Sequence, residues 1–502
     1  MTDPEVSGSL AALQARYGER HRWLLLLSLM IGTMASVMSS TIVNVAIPDM
    51  SQHFALGQDR AHWVSSGFMA AMTVSMLTTP WLLARFGYRQ TYLICMWLLL
   101  LGGIGGGFAN HFALVLVARA CEGLAAGVVQ PIPAIIILRA FAQNEQGRAS
   151  GIFGMGVVLA PAIGPSIGGV LVDWFGWRSI FFMVAPFCVV SMWLAYKFVP
   201  TTAPGGVAAD RGGAPLDWIG LLLATVGTLS LLNGLVHLHD GAPLLAGGLL
   251  AIATVSCVGF VWWERKIARA GNEAGAARGA SPLMSFDLFG YRQFAMGTVV
   301  AFIYGTALFG STYLLPVFMQ RGLVLSPSYV GTILLPAGFI LASTIALVGR
   351  LADHQPAHRL VSIGLLLLAG SFALMVTVDT TTSLLVLVAW AIVGRIGLGF
   401  ILPSLNLGAM RGVDHALIPQ GASVINFMRM LGGAIGVSLC GILLEWRLAA
   451  HGDALTTLAT SSARLDAFDE VFFVLAGICA VAIIAAWQLR ERVAPATPPA
   501  AN

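Results

Sequence analysis

Long apolar runs, each ended by charged or helix-breaking residues, repeat along the whole chain. Each run is roughly 18 to 25 residues long, which is the length an α-helix needs to cross a hydrocarbon layer about 30 Å thick. The runs predict helices at 23–47, 62–83, 90–109, 112–138, 148–172, 179–199, 218–238, 243–264, 294–319, 327–349, 360–378, 383–408, 420–445 and 470–489. The pattern therefore predicts an all-α membrane protein with fourteen transmembrane helices.

Two polar stretches divide these helices into groups of six, two and six. We expect a cytoplasmic N-terminal segment at 1–22, an N-terminal six-helix bundle at 23–200, two inserted transmembrane helices with flanking cytoplasmic loops at 201–283, a C-terminal six-helix bundle at 284–490 and a cytoplasmic tail at 491–502. Short basic segments follow the second helix, at 80–89, and the tenth, at 349–359. Such an internal repeat is typical of transporters whose binding site lies between two halves near the bilayer midplane.

Composition and charge placement agree with this organisation. The chain is 57% hydrophobic and 10% charged, whereas a soluble globular protein has about 25% charged residues. Most Lys and Arg residues fall in loops on the side of the termini, and the opposite loops hold Arg60, Arg178, Arg321, Arg447 and Arg464. Because basic loops stay in the cytoplasm, we expect a multi-pass inner (plasma) membrane protein with both termini cytoplasmic.

Motifs of other protein classes are missing from the sequence. There is no P-loop of the form GxxxxGK[ST] and no HExxH pair, so neither an ATP-driven pump nor an enzyme is indicated. The six cysteines lie in apolar runs, and no His or Cys spacing suggests a metal site. We therefore expect no cofactor and no metal.

The fifth predicted helix carries small residues at every fourth position: Gly156, Ala160, Gly164 and Gly168, followed by Gly169. Such a stripe lets another helix approach the backbone closely. Pro161 and Pro165 each remove a backbone donor and bend the helix. We interpret the segment as a pivot that seals the outer face in one state; the alternative is a tightly packed, kinked helix.

The fourth predicted helix carries Arg119 and Glu122, three residues apart and thus on one helix face. Glu122 is the carboxylate placed deepest in any predicted span, and an ionisable group there marks an ion or substrate path by default. A change in its distance to Arg119 would load or release a proton. We assign both residues to proton coupling; the alternative is a static, internally neutralised pair.

Other polar side chains in the predicted spans are candidates for a substrate cavity. They are Asn44, Gln130, Tyr304, Arg395, Asn426 and Arg429. The two arginines have no acidic partner nearby in sequence, so each is expected to face a wet cavity or an anionic partner. Few charges line such a cavity, which favours lipophilic or weakly polar cargo and admits anionic amphiphiles. Interhelical hydrogen bonds are the alternative role.

These motifs together resemble a known family. The residues are 41–48 (TIVNVAIP), Arg119-x-x-Glu122-Gly123 with Gly127 and Pro131, the stripe of the fifth helix, Trp177-Arg178 and 429–436 (RMLGGAIG). They resemble the fourteen-helix drug:proton antiporter branch of the major facilitator superfamily, the EmrB/QacA-like multidrug exporters. The resemblance implies two six-helix bundles plus two inserted helices, and rocker-switch export driven by the proton gradient. It implies cytoplasmic gating by Arg85, Gly87, Arg89, Gly349, Asp353 and Arg359, and, for some members, a periplasmic adaptor and an outer-membrane channel.

The chain departs from the family pattern at three places. Ser39-Ser40 stands where the family usually has an acid, Glu122 stands where it usually has Gln, and Pro80 and Ala84 alter the first basic loop. We hypothesise that the titrating carboxylate has moved from the first helix to the fourth. The expected function is proton-coupled antiport that exports small lipophilic or amphiphilic compounds (multidrug efflux, hence drug resistance). The expected partners are a small-molecule substrate, protons and the lipid bilayer, with no nucleic acid. The alternative within this fold is a facilitator or importer of a small organic solute; a channel, a membrane enzyme and a sensor are less consistent with the motifs.

Overall fold

The computed structural model describes residues 10–490 except 57, 62, 205, 211–212, 240–241, 275–281 and 454–460. Its long helices are α1 Arg20–His53, α2 Trp63–Ser75, α3 Thr79–Gly107, α4 Phe112–Val129, α5 Gln146–Phe175, α6 Ser179–Phe198, α7 Trp218–His239, α8 Pro243–Ala274, α9 Arg292–Val317, α10 Pro327–Ala352, α11 Ala357–Met375, α12 Leu384–Met410, α13 Ile418–Ala450 and α14 Ser462–Trp487. Three short helices accompany them: Leu10–Tyr17 before α1, Gln58–Ala61 before α2, and Ile132–Ala140 between α4 and α5. The prediction of an all-helical chain is confirmed.

Twelve runs of the described residues are long and apolar enough to cross a membrane. They are Arg20–His53, Trp63–Gly107, Phe112–Ala140, Ser179–Phe198, Trp218–Leu238, Pro243–Arg269, Arg292–Gly322, Tyr329–Ala352, Ala357–Met375, Leu384–Met410, His415–Ala450 and Ser462–Trp487. The second run joins α2 and α3, and α5 is not among the twelve. The chain is thus a multi-pass membrane protein.

Several predicted helix boundaries were wrong by more than a turn. The second helix was expected to end at residue 83 and the third to begin at residue 90, but α2 ends at Ser75 and α3 begins at Thr79. The eighth helix was expected to end at residue 264 but continues to Ala274, because a helix does not end where its apolar residues end. The fourteenth was expected to begin at residue 470 but begins at Ser462. There the Ser461 hydroxyl accepts a hydrogen bond from the Arg464 amide, so a polar N-cap starts the helix well before the apolar run.

Helix pairs form two bundles and a separate helical hairpin. In the first half α1 packs on α5 and α6, and α4 packs on α2 and α3. In the second half α9 packs on α13, and α11 packs on α12 and α14. The hairpin consists of α7 and α8, and α7 also contacts both α2 and α13. The main contact between the two bundles is α5 against α10.

Several helix ends meet at one end of the molecule, which we call the basic face. Arg22 at the start of α1 forms a 2.7 Å ion pair with Glu145, the residue before α5. Arg292 at the start of α9 donates a 3.1 Å hydrogen bond to Gln488, which follows α14. The end of α10 lies against the start of α5, as described below. The first and last long helices therefore begin and end, respectively, at this face.

Candidate functional site

An ion pair lies in the core of the first bundle. Arg119 Nη1 is 2.5 Å from Glu122 Oε2, and the two side chains are 2% and 1% exposed. Their spacing of three residues places both on one face of α4, as the sequence predicted. Ser39 of α1 completes the arrangement, because its hydroxyl lies 2.7 Å from Arg119 Nη1 and 3.1 Å from Glu122 Oε2. A carboxylate, a guanidinium and a hydroxyl thus share one buried network.

The surroundings hold each member of this network in place. Arg119 Nε donates to the Val64 carbonyl at 3.2 Å, and its guanidinium lies 4.2 Å from the centre of the Phe68 ring. On the other side α3 presents Gly102 and Gly103, where an added Cβ would lie 2.8 Å from Glu122 Cγ and 3.3 Å from Glu122 Oε1, respectively. Glycine at these positions lets α3 press against the carboxylate.

One oxygen of the carboxylate is left without a hydrogen bond. Among the described residues, nothing donates to Glu122 Oε1, and Arg119 Nη2 likewise has no acceptor. A buried carboxylate oxygen of this kind is costly while ionised. The arrangement can therefore accept a proton at Oε1 while Oε2 stays bonded to Arg119 and Ser39.

A separate polar cavity of about 50 Å³ lies between the bundles. Polar side chains on its wall are Thr33, Gln130, Ser150, Asn406, Asn426 and Arg429. Arg429 Nη2 donates to Asn426 Oδ1 at 2.8 Å within its own helix, and to Gln130 Oε1 at 3.1 Å across the interface. Gln130, Asn426 and Arg429 were predicted to line a cavity, and the structure brings these three together.

The remaining predicted cavity residues lie elsewhere. Asn44 is exposed on the outer half of α1, away from this cavity. Tyr304 is 1% exposed, yet it lies within electrostatic range of both Arg395 and Arg429. Arg395 is half-buried, and among the residues that the structure describes it has no hydrogen bond or ion pair. Sequence reasoning missed Thr33 and Ser150, because small hydroxyl residues in helices are usually packing residues whose hydroxyls bond the preceding turn.

The small-residue stripe of α5 packs inside the first bundle. An added Cβ at Gly156 would meet Met30, one at Gly164 would meet Thr41, and one at Gly168 would meet Ile42, all on α1. An added Cβ at Gly169 would meet nothing within 4 Å. The helix continues through Pro161 and Pro165, and the side chain of Pro165 lies outside the described part of the chain. The pivot role of the stripe stays a prediction.

Close contact with the other bundle comes instead from the first turns of α5, which the sequence reading did not single out. The backbones of Gly147 and Gly151 lie against Gly349 of α10, and an added Cβ at Gly349 would be 2.5 Å from Gly151 Cα and 2.6 Å from the Gly147 carbonyl oxygen. These glycines allow two helix backbones to touch at the basic face.

Asp353, at the end of α10, strengthens this contact. Its Oδ1 accepts a 2.6 Å hydrogen bond from the Gly147 amide, and its Oδ2 accepts a 2.9 Å bond from the Arg148 amide. The carboxylate thus caps the positive N-terminus of α5 from the other bundle. Burial raises the pKa of Asp353, although the two amide bonds work in the opposite direction. Arg139 adds a second link between the bundles by donating to the His415 carbonyl.

The first basic segment, 80–89, was expected to be a loop but lies at the start of α3, which is broken at Gly87. Its contacts differ from those of the second segment, although the family resemblance gave both the same gating role. Arg89 Nε donates to the Val199 carbonyl at 2.7 Å and Arg85 Nη1 to the Gly213 carbonyl at 3.2 Å. Between them Gly87 has φ of +73°, a conformation that favours glycine. These partners belong to the linker from α6 to α7. With Ala84 in place of an acid, this segment has no carboxylate to cap a helix of the other bundle. Arg359 of the second segment is exposed.

Comparisons with known proteins place this geometry in context. A family model described as Major Facilitator Superfamily matches residues 29–437. The multidrug resistance protein Stp of Mycobacterium tuberculosis (strain ATCC 25618 / H37Rv) is 28% identical over 438 residues, which are 86% of this chain and 77% of Stp. The lincomycin resistance protein LmrB of Listeria monocytogenes is 23% identical over 418 residues, which are 82% of this chain and 84% of LmrB.

Two solved structures share the fold. The proton:xylose symporter XylE superposes with a TM-score of 0.65 at 12% identity, covering 94% of this chain and 96% of XylE. The human organic anion transporter MFSD10 superposes with a TM-score of 0.62 at 14% identity, covering 93% of this chain and 99% of MFSD10. At these identities the likeness concerns the fold alone.

Proposed function

The chain belongs to the Major Facilitator Superfamily, a family of transporters rather than enzymes, and from that premise we propose that it exports small lipophilic or amphiphilic compounds in exchange for protons. The observation that carries the proposal is the Arg119–Glu122 pair with Ser39, sealed inside a membrane bundle and with one carboxylate oxygen free of hydrogen bonds. Relatives at about one quarter identity are named a multidrug resistance protein and a multidrug transporter protein, which supports an exporter of drugs.

In this proposal Glu122 is the proton carrier and Arg119 is the group that sets its affinity. Protonation at Oε1 removes the negative charge, so the hydrogen bonds that Oε2 keeps with Arg119 and Ser39 weaken and α4 can shift. Gln130 follows Glu122 by eight residues on the same helical run and bonds Arg429 of the other bundle. A shift of α4 would therefore reach the cavity and the second bundle through one hydrogen bond.

Alternating access follows from the contacts at the basic face. There the α5–α10 contact, with Asp353 bonded to the start of α5, holds the bundles together. Opening this face requires these bonds to break, and closing it restores them. We propose that Gly349 and Asp353 gate this face, while Arg85, Gly87 and Arg89 hold the linker to α7.

We further propose fourteen membrane crossings. The run Trp63–Gly107 is 45 residues long, which is about 68 Å of helix and more than twice the hydrocarbon thickness. It is also broken at Gly87, so two crossings suit it better than one. Helix α5, with 30 residues, is long enough for another. The excess of basic residues at the basic face favours a cytoplasmic position for that face and for both termini, in the inner membrane.

The cavity narrows the range of cargo. Arg429 and Arg395 contribute positive charge near Tyr304, and no carboxylate lines the described wall. Such a site suits amphiphiles with a neutral or anionic head. Delivery to a periplasmic adaptor and an outer-membrane channel stays a prediction from the family resemblance.

The experiment is uphill export by the purified protein reconstituted in liposomes. A panel of lipophilic dyes, detergents, fatty acids and antibiotics would be screened under an imposed pH gradient and without one. If the protein is an antiporter, the pH gradient should drive the substrate against its own concentration gradient. Addition of substrate should in turn move protons across the membrane in the opposite direction. A facilitator would equilibrate the same substrates with no dependence on the pH gradient, and that result would contradict the proposal.

A further inference from the structure

The outward stripe of α8 forms a groove that the transport scheme does not use. Of the twelve candidate spans, α8 has the lowest buried share, at 22%, so most of its surface faces lipid. The described residues that line the groove are Cys257, Val258, Val261, Trp262, Arg265, Lys266 and Arg269, around a volume of about 900 Å³. They recur at spacings of three, four and one, which places them on one side of the helix.

Charge is confined to one end of this groove. The apolar members come first along the helix, and the three cations come last, at the basic face. Lys266 Nζ lies 5.2 Å from the centre of the Trp262 ring, and Arg265 lies 5.3 Å from the centre of the Phe286 ring. Stacking on aromatic rings holds the cations in place while it leaves their donors free to bind.

No carboxylate among the described lining residues neutralises these cations. Glu264, the acid nearest in sequence, is 0% exposed and faces inward, where its oxygens accept hydrogen bonds from the Leu283 and Met284 amides. The exposed cationic end is therefore available to a negative partner from outside the chain.

We propose that the groove binds one anionic phospholipid, with its phosphate at Arg265, Lys266 and Arg269 and an acyl chain along Val258 and Val261. The dimensions agree, because Val258 and Arg269 are eleven steps apart along the helix, a rise of about 16 Å, which is close to the ~15 Å depth of one hydrocarbon leaflet. Basic pockets on this side of membrane proteins recognise anionic headgroups in the same way. A free phosphate would leave the apolar half unused, and an apolar partner helix would leave the three cations unpaired.

The test is titration of the full-length protein in a nonionic detergent, with bound lipid counted by native mass spectrometry. The probes are phosphatidylglycerol, phosphatidylcholine with the same acyl chains, and glycerol phosphate without them. We expect tight binding of phosphatidylglycerol alone. The exposed triple variant Arg265→Gln/Lys266→Gln/Arg269→Gln should weaken it by roughly 100-fold, because each of the three cations near the surface contributes about a fivefold preference.

The control is Lys197→Gln. Lys197 lies at the end of α6, outside the groove, and stacks on Trp193 with 3.7 Å between its nitrogen and the ring centre. This variant should leave the affinity unchanged. Equal affinity of the triple variant and the wild type would overturn the proposal, as would an equal loss in the control. Binding of glycerol phosphate as tight as that of the lipid would identify an anion site instead and would also overturn it.

Discussion

Replacing Glu122 with Gln separates proton coupling from structural packing. The substitution leaves the Arg119 guanidinium, whose side chain is 2% exposed, without its counter-charge. Removing one partner of a buried ion pair costs about 3–5 kcal/mol of folding stability. Because the Gln oxygen can still accept hydrogen bonds from Arg119 and Ser39, we expect a loss near the lower limit, about 3 kcal/mol.

The assay compares two modes of transport by the same reconstituted protein. Uphill export needs a proton to bind and leave, which an amide does not allow at physiological pH, so we expect it to fall to the level of protein-free liposomes. Substrate counterflow without a pH gradient needs conformational exchange only, so we expect it to persist. Unfolding midpoints in detergent would report the stability loss independently.

A second variant restores an acid at the same place. In Ser39→Asp/Glu122→Gln the new carboxylate stands where the Ser39 hydroxyl now lies, 2.7 Å from Arg119 Nη1, so we expect part of the uphill export to return. Undiminished uphill export by folded Glu122→Gln protein would refute the assignment of Glu122 as proton carrier. Loss of counterflow together with uphill export would indicate a purely structural pair.

Three further predictions concern the bundle interface and the cavity. Gly349→Ala should destabilise the closed basic face by about 1–3 kcal/mol, which would be measured as faster labelling of cysteines placed at that face. The control is Gly370→Ala, where the added Cβ meets nothing within 4 Å, and it should leave the labelling rate unchanged. Asp353 has a raised pKa in the closed contact, so closing the face takes up protons. Acidification from neutral pH through that pKa should therefore favour the closed form, and Asp353→Asn should make cysteine labelling independent of pH. Arg429→Gln should raise the KM for an anionic amphiphile about tenfold, because a charged hydrogen bond is lost. The KM for a cationic dye should stay unchanged, and an equal effect on both substrates would contradict an anion-accepting cavity.

Local spacing in the sequence was enough to predict the ion pair and most helices. Arg119 and Glu122 are three residues apart, so helix geometry alone brings them together. The apolar runs locate the spans for the same reason, since hydropathy depends on neighbouring residues. The helix boundaries at residues 264 and 470 were wrong because helix ends depend on caps and on continuation into water.

Contacts between distant segments were not predictable in this way. Nothing in the sequence indicated that Ser39 would meet the pair, that Gly147 and Gly151 would meet Gly349, or that Asp353 would cap α5. Each of these pairings depends on how the bundles pack, which a single sequence does not specify. The two basic segments have similar composition but different partners, and the gating role that the resemblance gave to both stays a prediction.

In the proposed alternating-access cycle, the two basic segments would behave differently. Arg89 and Arg85 bond to residues joined covalently to their own bundle, so these bonds can stay intact when the halves rock apart. In the proposed cycle the Asp353 contact must instead dissociate and re-form at every turnover. In this proposal the lifetime of the Asp353 contact limits the cycling frequency, and substitutions there should change the maximal velocity more than those in the first basic segment.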